Sequence, residues 1–500
     1  MATHPAPEAG FDIIDATIAD IHAAYAAGML TARRLVEIYL DRIEAYDRGG
    51  PNLNSVISLN PKALEEADAL DAAWAKSGPV GPLHGIPLVM KDQADVKDMP
   101  TTMGSVLFRD HMPDRDCFVA AQMKAAGAIF IAKTTLGELG AGDTHGSLFG
   151  STRCVYDLER TAGGSSGGTG AAVSANLCAA GIGQEGFASI RRPSIWNGIA
   201  GMRPTAGLVS RGGVYAGWPS IFGSLGPMAR SVEDCARLLD SMVGFDPTDP
   251  ITGRGAGMAP DSYLDGLDAG ALKGARLGIL RDPMGYLTEP GSEDFARVTA
   301  VFDKAVADLQ AAGAEVVDPI VIPDLAELMA KRSSPPGSDA AAFEEYAKGS
   351  ANPPFRTMKE AMESPLYAET TPGVKARWER ESTDESYFEY LKAREALTTN
   401  VLAVMAEHRL DAIVHKAVEH TPTLIKDGVN PPYVTQKGAP HINTFLTFVP
   451  SVVVPAGFTE DDLPAGITFL GRPYADASML SLAYAYEQAT GHRRAPACAP

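Results

Sequence analysis

Residues 161–170 read Thr-Ala-Gly-Gly-Ser-Ser-Gly-Gly-Thr-Gly. Five glycines and two adjacent serines in ten positions stand out even in a chain with 50 glycines among 500 residues. Four readings compete. A flexible linker has this composition, but the segment runs straight into 171–180, which reads as a helix, so it is anchored. A Walker-type phosphate loop needs lysine after its last glycine, and none follows. A formal G-x-G-x-x-G occurs at Gly181, Gly183 and Gly186. It follows a helical pattern and runs into Pro193, whereas a dinucleotide motif follows a strand and opens a helix. The third reading is a nucleophile elbow, which Gly163, Ser165 and Gly167 match formally. That turn needs an apolar strand immediately before it, and residues 156–160 (Tyr-Asp-Leu-Glu-Arg) are polar. His415, His420, His441 and His492 lie downstream, and no spacing singles one out as a partner.

The fourth reading is a serine pair worked by a lysine. Backbone N–H groups bunched beside an attacking oxygen stabilise an oxyanion. Residues 186–189 (Gly-Phe-Ala-Ser) offer small side chains on a sharp path, followed by Arg191, Arg192 and Pro193 to fix it. A serine hydroxyl needs a base to become nucleophilic. Lys91 closes the apolar run 86–90, between Met90 and Asp92. A lysine emerging from an apolar strand is desolvated, which lowers its pKa and leaves the amine neutral enough to accept a proton. The bland alternative is a lysine that only makes an ion pair. For Arg191 and Arg192 one reading is binding of an acidic group; the expectation is pairing with Glu or Asp to hold the loop.

Outward from this segment the pattern alternates. Thr31 reads as an N-cap ahead of an amphipathic stretch through residue 46, and further helices are expected near 61–76 and 116–127. Short apolar runs at 86–90, 128–132, 276–280, 316–322, 411–414, 452–454 and 467–470 read as buried strands. Strands separated by helices predict an α/β fold with helices on both faces of the sheet. Residues 330–400 break the alternation: a Ser/Pro/Gly linker at 333–337 leads into charged helical segments with no strand signal. This is expected to be an inserted helical lobe or cap overhanging the site. Residues 1–10, rich in Ala and Pro, are expected to be disordered.

Composition excludes several function classes. Acidic residues number 62 against 43 basic ones, a net charge of −19, which repels phosphate backbones and predicts no nucleic-acid partner. No apolar stretch approaches the length of a membrane span, and 1–10 shows neither a basic start nor an apolar run, so no leader is expected. The five cysteines, Cys117, Cys154, Cys178, Cys235 and Cys498, are odd in number, scattered and without a CxxC pair. That argues against a disulfide framework and for a reducing, cytoplasmic setting. His415, Glu419 and His420 lack HExxH order, so no metal and no cofactor is expected.

These motifs together resemble the amidase signature family. The Gly/Ser core is similar at 163–170, then at 183–193, Gly198, Gly201 and Arg203-Pro204-Thr205-Ala206-Gly207. The lysine motif is similar at Leu83-His84-Gly85-Ile86-Pro87 through Lys91-Asp92. Further similar stretches are 101–105, Lys133-Thr134, 226–230, 455–458 and Gly466 through Pro473. The likeness spans a single domain, 11–495, and is poorest at 330–400. It implies a mixed central sheet covered by helices on both faces, and a Ser–cis-Ser–Lys triad. In the family the nucleophile lies 24 positions after the bridging serine, which selects Ser165 with Ser189 rather than Ser166. By the resemblance Ser189 attacks the carbonyl, Ser165 on a cis Gly164–Ser165 peptide relays the proton, and Lys91 is the base and then the acid. Ser166 is either a support for this network or a plain helix-capping serine.

The chain also departs from the family, which usually has Thr-Asp-x-Gly-Gly before the nucleophile. Here Gln184-Glu185-Gly186-Phe187-Ala188 stands in its place, with Glu185 one methylene longer and both glycines replaced. Gly186, Phe187 and Ala188 are the expected oxyanion donors. Met90, Phe187, Trp196, Tyr215 and Trp218 are the candidate substrate-binding residues, and as a set they suggest an apolar or aromatic substrate. The expected activity is a metal-free hydrolysis of an amide or carbamate (urethane) C–N bond in a small molecule through an acyl-enzyme. A homodimer stays open. The alternative is the glutaminase component of a tRNA-dependent amidotransferase, its A chain.

Overall fold

The computed structural model describes residues 11–217 and 223–500; residues 1–10 and 218–222, and with them the expected disordered start and Trp218, lie outside these. An eleven-stranded sheet organises the chain. In chain order its strands are β1 (Val56–Leu59), β2 (Pro87–Lys91), β3 (Ile129–Thr134), β4 (Ala180–Glu185), β5 (Ala200–Arg203), β6 (Ser224–Ala229), β7 (Arg276–Leu280), β8 (Glu315–Ile320), β9 (Ala412–Lys416), β10 (Ser451–Phe458) and β11 (Pro464–Leu470). In space they run β1-β3-β2-β4-β6-β5-β10-β11-β9-β7-β8. The sheet is mixed. β2 lies parallel to β3 and β4, and β7 parallel to β9 and β8, while the strands between these two groups pair antiparallel.

Every residue of β2, β3, β4, β5, β6, β9 and β11 is buried. A strand buried at successive residues has both of its faces covered, because side chains alternate across the sheet. All seven apolar runs read from sequence are strands, to within a few residues at their ends. Four strands carried no such signal: β1, β4, β5 and β6. The helix expected over 171–180 is shifted; it spans Gly167–Ser174, and the chain then enters β4.

Thr31 caps its helix as expected, its hydroxyl accepting from the Arg34 N–H. Between residues 330 and 400 the described elements are helical, at Ser338–Gly349, Met358–Glu363, Pro372–Trp378 and the start of Asp384–Glu407. Phe343, Tyr346, Val374 and Trp378 of this region pack with Met103, Leu107, Phe108, Leu139 and Tyr215 of the body. Among the described residues no helix is long and apolar enough to cross a membrane.

Candidate active site

Parallel pairing of β2 with β4 places the carboxyl ends of both strands at the same edge of the sheet, where open α/β sheets bind ligands. Met90 faces Ile182 in the register, so Lys91 ends β2 beside the turn that follows β4. Lys91 is fully buried. Burial drives its pKa well below the ordinary lysine value, opposed by attraction to the Glu185 charge. Its neighbour Asp92 does not hold it charged. That carboxylate pairs with Lys133 Nζ at 2.9 Å and accepts from the Thr102 N–H and hydroxyl. The amine is therefore biased toward its neutral form.

Lys91 Nζ donates to Ser165 Oγ at 2.7 Å and to the Gln184 carbonyl at 3.2 Å. Ser165 Oγ in turn has Ser189 Oγ at 3.0 Å and the Gly140 carbonyl at 2.9 Å. The Gly164–Ser165 peptide is cis. Gly163 sits at φ +80°, where an L side chain is strained, and a Cβ on Gly164 would collide with the Gly142 carbonyl. The glycines thus let the loop turn and pack against 142–143. Arg192 Nη2 donates to the Gly164 carbonyl at 2.8 Å and pairs with Asp143 at 2.7 Å, while Gly137 N–H donates to the Ser165 carbonyl. Ser166 Oγ lies 3.3 Å from both the N and the O of Gln184, so it ties the loop to β4.

The turn from β4 to the helix Arg191–Trp196 carries Ser189. Glu185, fully buried, organises it: the carboxylate accepts from the Ile190 and Arg191 N–H groups and pairs with Arg191 Nε at 2.7 Å. Burial opposes its ionisation, but Arg191 and Arg203 outweigh that and hold its pKa below the usual carboxylate value. Arg191 and Arg192 are thus loop-holding residues paired with acids, as expected. Ser166 N–H donates to the Ser189 carbonyl. Among the described residues the N–H groups of Gly186, Phe187, Ala188 and Ser189 donate to no protein acceptor. Four such donors in succession beside a hydroxyl can stabilise an oxyanion.

Ser189 opens on a cavity of about 390 Å³, within the range of small-molecule sites. Its walls are the segment 140–145, Phe187 and Tyr286, the residues 371–377 with Arg332 and Arg380, and the segment 424–436 with Leu424, Ile425, Val429 and Tyr433. The exposed lining is largely apolar, and Arg332, Arg377 and Arg380 are among the charged residues that reach it.

Of the candidate substrate-binding residues, Phe187 lines this cavity. Three others do not. Met90 precedes Lys91 on the strand and so points to the opposite face, into the main core. Trp196 is fully buried with Ile195, Val418 and Val453, its indole N–H donating to the His420 carbonyl at 3.0 Å. Tyr215 is fully buried beneath the helical region with Phe343 and Trp378. Arg332, Tyr286 and the wall at 371–377 and 424–436 were not singled out by sequence, since they lie about a hundred or more positions from Ser189 with no local motif. Among the described residues no three His, Cys, Asp or Glu side chains converge as metal ligands; Glu419 accepts from Met284 and Gly285 N–H, and His420 pairs with Asp294.

Comparison with known proteins identifies the family. The family model Amidase matches residues 34–480. The A chain of the glutamyl-tRNA(Gln) amidotransferase of Ralstonia pickettii is 32% identical, over 96% of this chain and 99% of its own. The crystal structure of native peptide amidase from Stenotrophomonas maltophilia is 31% identical with a TM-score of 0.84, over 96% of this chain and 98% of that one. A bacterial aryl acylamidase, 23% identical with a TM-score of 0.77 over 95% and 96% of the two chains, shares the fold.

Proposed function

The chain belongs to the amidase family, hydrolases of C–N amide bonds, and from that premise we propose that it cleaves an amide or carbamate of an apolar or aromatic small molecule, with Ser189 as nucleophile. The observation that carries this is the unbroken chain from Lys91 Nζ through Ser165 Oγ to Ser189 Oγ, 2.7 and 3.0 Å, ending at a cavity.

On this reading neutral Lys91 takes the Ser165 proton while Ser165 takes that of Ser189. The freed Ser189 oxygen adds to the substrate carbonyl carbon. The oxyanion is received by the unengaged N–H groups of 186–189, and its stabilisation supplies a large part of the rate. The Lys91 ammonium then returns its proton through Ser165 to the departing nitrogen, the C–N bond breaks, and an ester to Ser189 remains. Water, activated by the same relay, hydrolyses that ester. Nothing in this sequence calls for a metal or cofactor. The helix Pro372–Trp378 forms one wall of the cavity, and the apolar side chains of Phe187, Leu424, Ile425 and Val429 support an apolar substrate. The five unpaired cysteines support a reducing, cytoplasmic setting.

A second reading rests on the 32% identity to the amidotransferase A chain: release of ammonia from glutamine for a partner chain. A hydrolysis screen of the purified chain over anilides, aliphatic amides, aryl carbamates and glutamine, with Ser189→Ala as control, separates them. Ser189-dependent cleavage of an anilide or carbamate, with glutamine untouched, is the expected result. Glutamine as the one substrate would transfer the conclusion to the second reading.

A further inference from the structure

Phe187 stands two positions before the proposed nucleophile, and its ring is gripped by residues from distant parts of the chain. His441 stacks on it, ring centroids 4.8 Å apart and planes within 5°. The Arg332 guanidinium lies over the ring, 4.9 Å from its centroid, and Tyr286 meets it edge-on at 6.1 Å. The backbone of Phe187 is held as well: its carbonyl accepts from Arg191 Nη2 at 3.0 Å, and the same nitrogen reaches the Pro440 carbonyl at 3.2 Å, next to His441.

These contacts have a geometric consequence. The Phe187 carbonyl and the Ala188 N–H belong to one planar peptide, so fixing the first fixes the second. Holding the ring restrains the Cα–Cβ direction and, with the carbonyl fixed, the position of the Phe187 nitrogen, which limits the path its N–H can sweep. Both N–H groups belong to the unengaged set beside Ser189. His441 acts here as a flat surface rather than as an acid or base. Burial, and then the charge of Arg332, bring its pKa down to about 3. Arg332 is tied to the body by its own N–H, which donates to the Met329 carbonyl, and it immediately precedes the 333–337 linker into the helical region.

We propose that Arg332 and His441 are positioning residues: by clamping the Phe187 ring they aim the Phe187 and Ala188 N–H groups at the developing oxyanion, and they link entry into the helical region to the geometry of the nucleophile turn. The proposal rests on the reading of Ser189 as nucleophile. It differs from an Arg332 that binds substrate directly, since the effect must pass through the Phe187 ring.

The test is a four-member cycle (wild type, Arg332→Ala, Phe187→Ala and both) together with His441→Phe and His441→Ala, each assayed for kcat and KM on a substrate whose cleavage depends on Ser189. Arg332→Ala is expected to lower kcat roughly three- to thirty-fold, the range of a partly desolvated cation–ring contact, with KM within about twofold. In the Phe187→Ala background the same change should move kcat by less than about twofold. His441→Phe, which keeps the plane, should retain near-normal kcat where His441→Ala does not. Arg332→Lys, keeping charge without the plane, stands in if Arg332→Ala melts early, and should lower kcat with KM within about twofold, an effect that shrinks in the Phe187→Ala background. An unchanged kcat with a raised KM, an undiminished effect in the Phe187→Ala background, or His441→Phe as slow as His441→Ala would each overturn it. Equal rates in wild type and Ser189→Ala would instead remove the nucleophile assignment itself, and the clamp with it.

Discussion

Lys91 and Ser165, 74 positions apart, meet at 2.7 Å in a site where the lysine side chain is wholly removed from water. The pairing follows from the fold. β2 delivers the amine at its carboxyl end, the glycine-rich loop brings the serine to it, and Asp92, the nearest acid in sequence, is taken up by Lys133. What remains is an amine with a hydroxyl to exchange protons with and a strong bias toward neutrality. On the proposed mechanism that bias governs both the role of the amine as base and the response of the site to pH.

Lys91→Met removes the proposed base and leaves an apolar side chain of similar length in a buried slot. Turnover should fall at least about a thousandfold, in line with loss of a general base and its nucleophile. Thermal stability should hold or rise, because a buried amine that must be kept neutral is exchanged for a methyl thioether. A variant that melts far below wild type would indicate that Lys91 is chiefly structural.

The pH profile of kcat/KM should have an acid limb set by Lys91. Burial lowers its pKa, so the amine is neutral and active above that value and protonated below it. The rate therefore falls as pH falls, about tenfold per unit beyond the limb. Stability follows the same direction: the unfolded chain binds this proton more readily than the folded one between the two pKa values, so folding gains as pH rises through that window. A rate flat from neutral into mildly acid pH would contradict the base role.

Glu185→Gln tests the support of the turn. The buried pair with Arg191 is broken from one side, leaving a cation without its partner, at a cost of about 3–5 kcal/mol. Glu185 titrates below the ordinary carboxylate value. Its stabilisation is thus present above the unfolded pKa and lost as pH falls through the folded one. Denaturant melts of the two proteins at neutral pH measure the difference, and a change under about 1 kcal/mol would deny the pair its structural role.

Phe187 and the buried aromatics should behave oppositely. Phe187→Ala opens the cavity wall and should shift the kcat/KM ratio toward substrates with bulkier acyl groups. Trp196→Ala and Tyr215→Ala empty packed sites away from the cavity. They should cost about 3–5 kcal/mol of stability and leave the substrate ratio of the surviving enzyme unchanged. A selectivity change from Tyr215→Ala would return it to the binding surface.

That Lys91, Ser165 and Ser189 come together was legible because their marks are local: a glycine-rich loop, a lysine at the end of an apolar strand, and a serine after a tight turn stand at known spacing. The strands read from composition were those with apolar residues at successive positions. β4 escaped notice because two of its six residues are glycine. A Cβ on Gly183 would stand 2.6 Å from Met228 Sδ and 3.0 Å from Ile190 Cγ1, so close packing erased the apolar pattern by which strands are recognised. The cavity lining is hidden from the sequence for the opposite reason. Met90, Trp196 and Tyr215 are near the motifs along the chain, but strand alternation and helix packing turn them into the core. Besides 140–145 and Phe187, the cavity beside Ser189 is lined by residues 286, 332, 371–380 and 424–436, whose approach to Ser189 is set by tertiary packing alone.

The most direct measurement is the mass of the intact protein during turnover of a slowly deacylating aryl carbamate or anilide, followed by peptide mapping. One acyl group per chain, located on Ser189 and absent from Ser189→Ala, is the predicted result. Steady turnover with the adduct on Ser165, on Ser166 or on a cysteine would contradict the account, as would turnover that persists in Ser189→Ala.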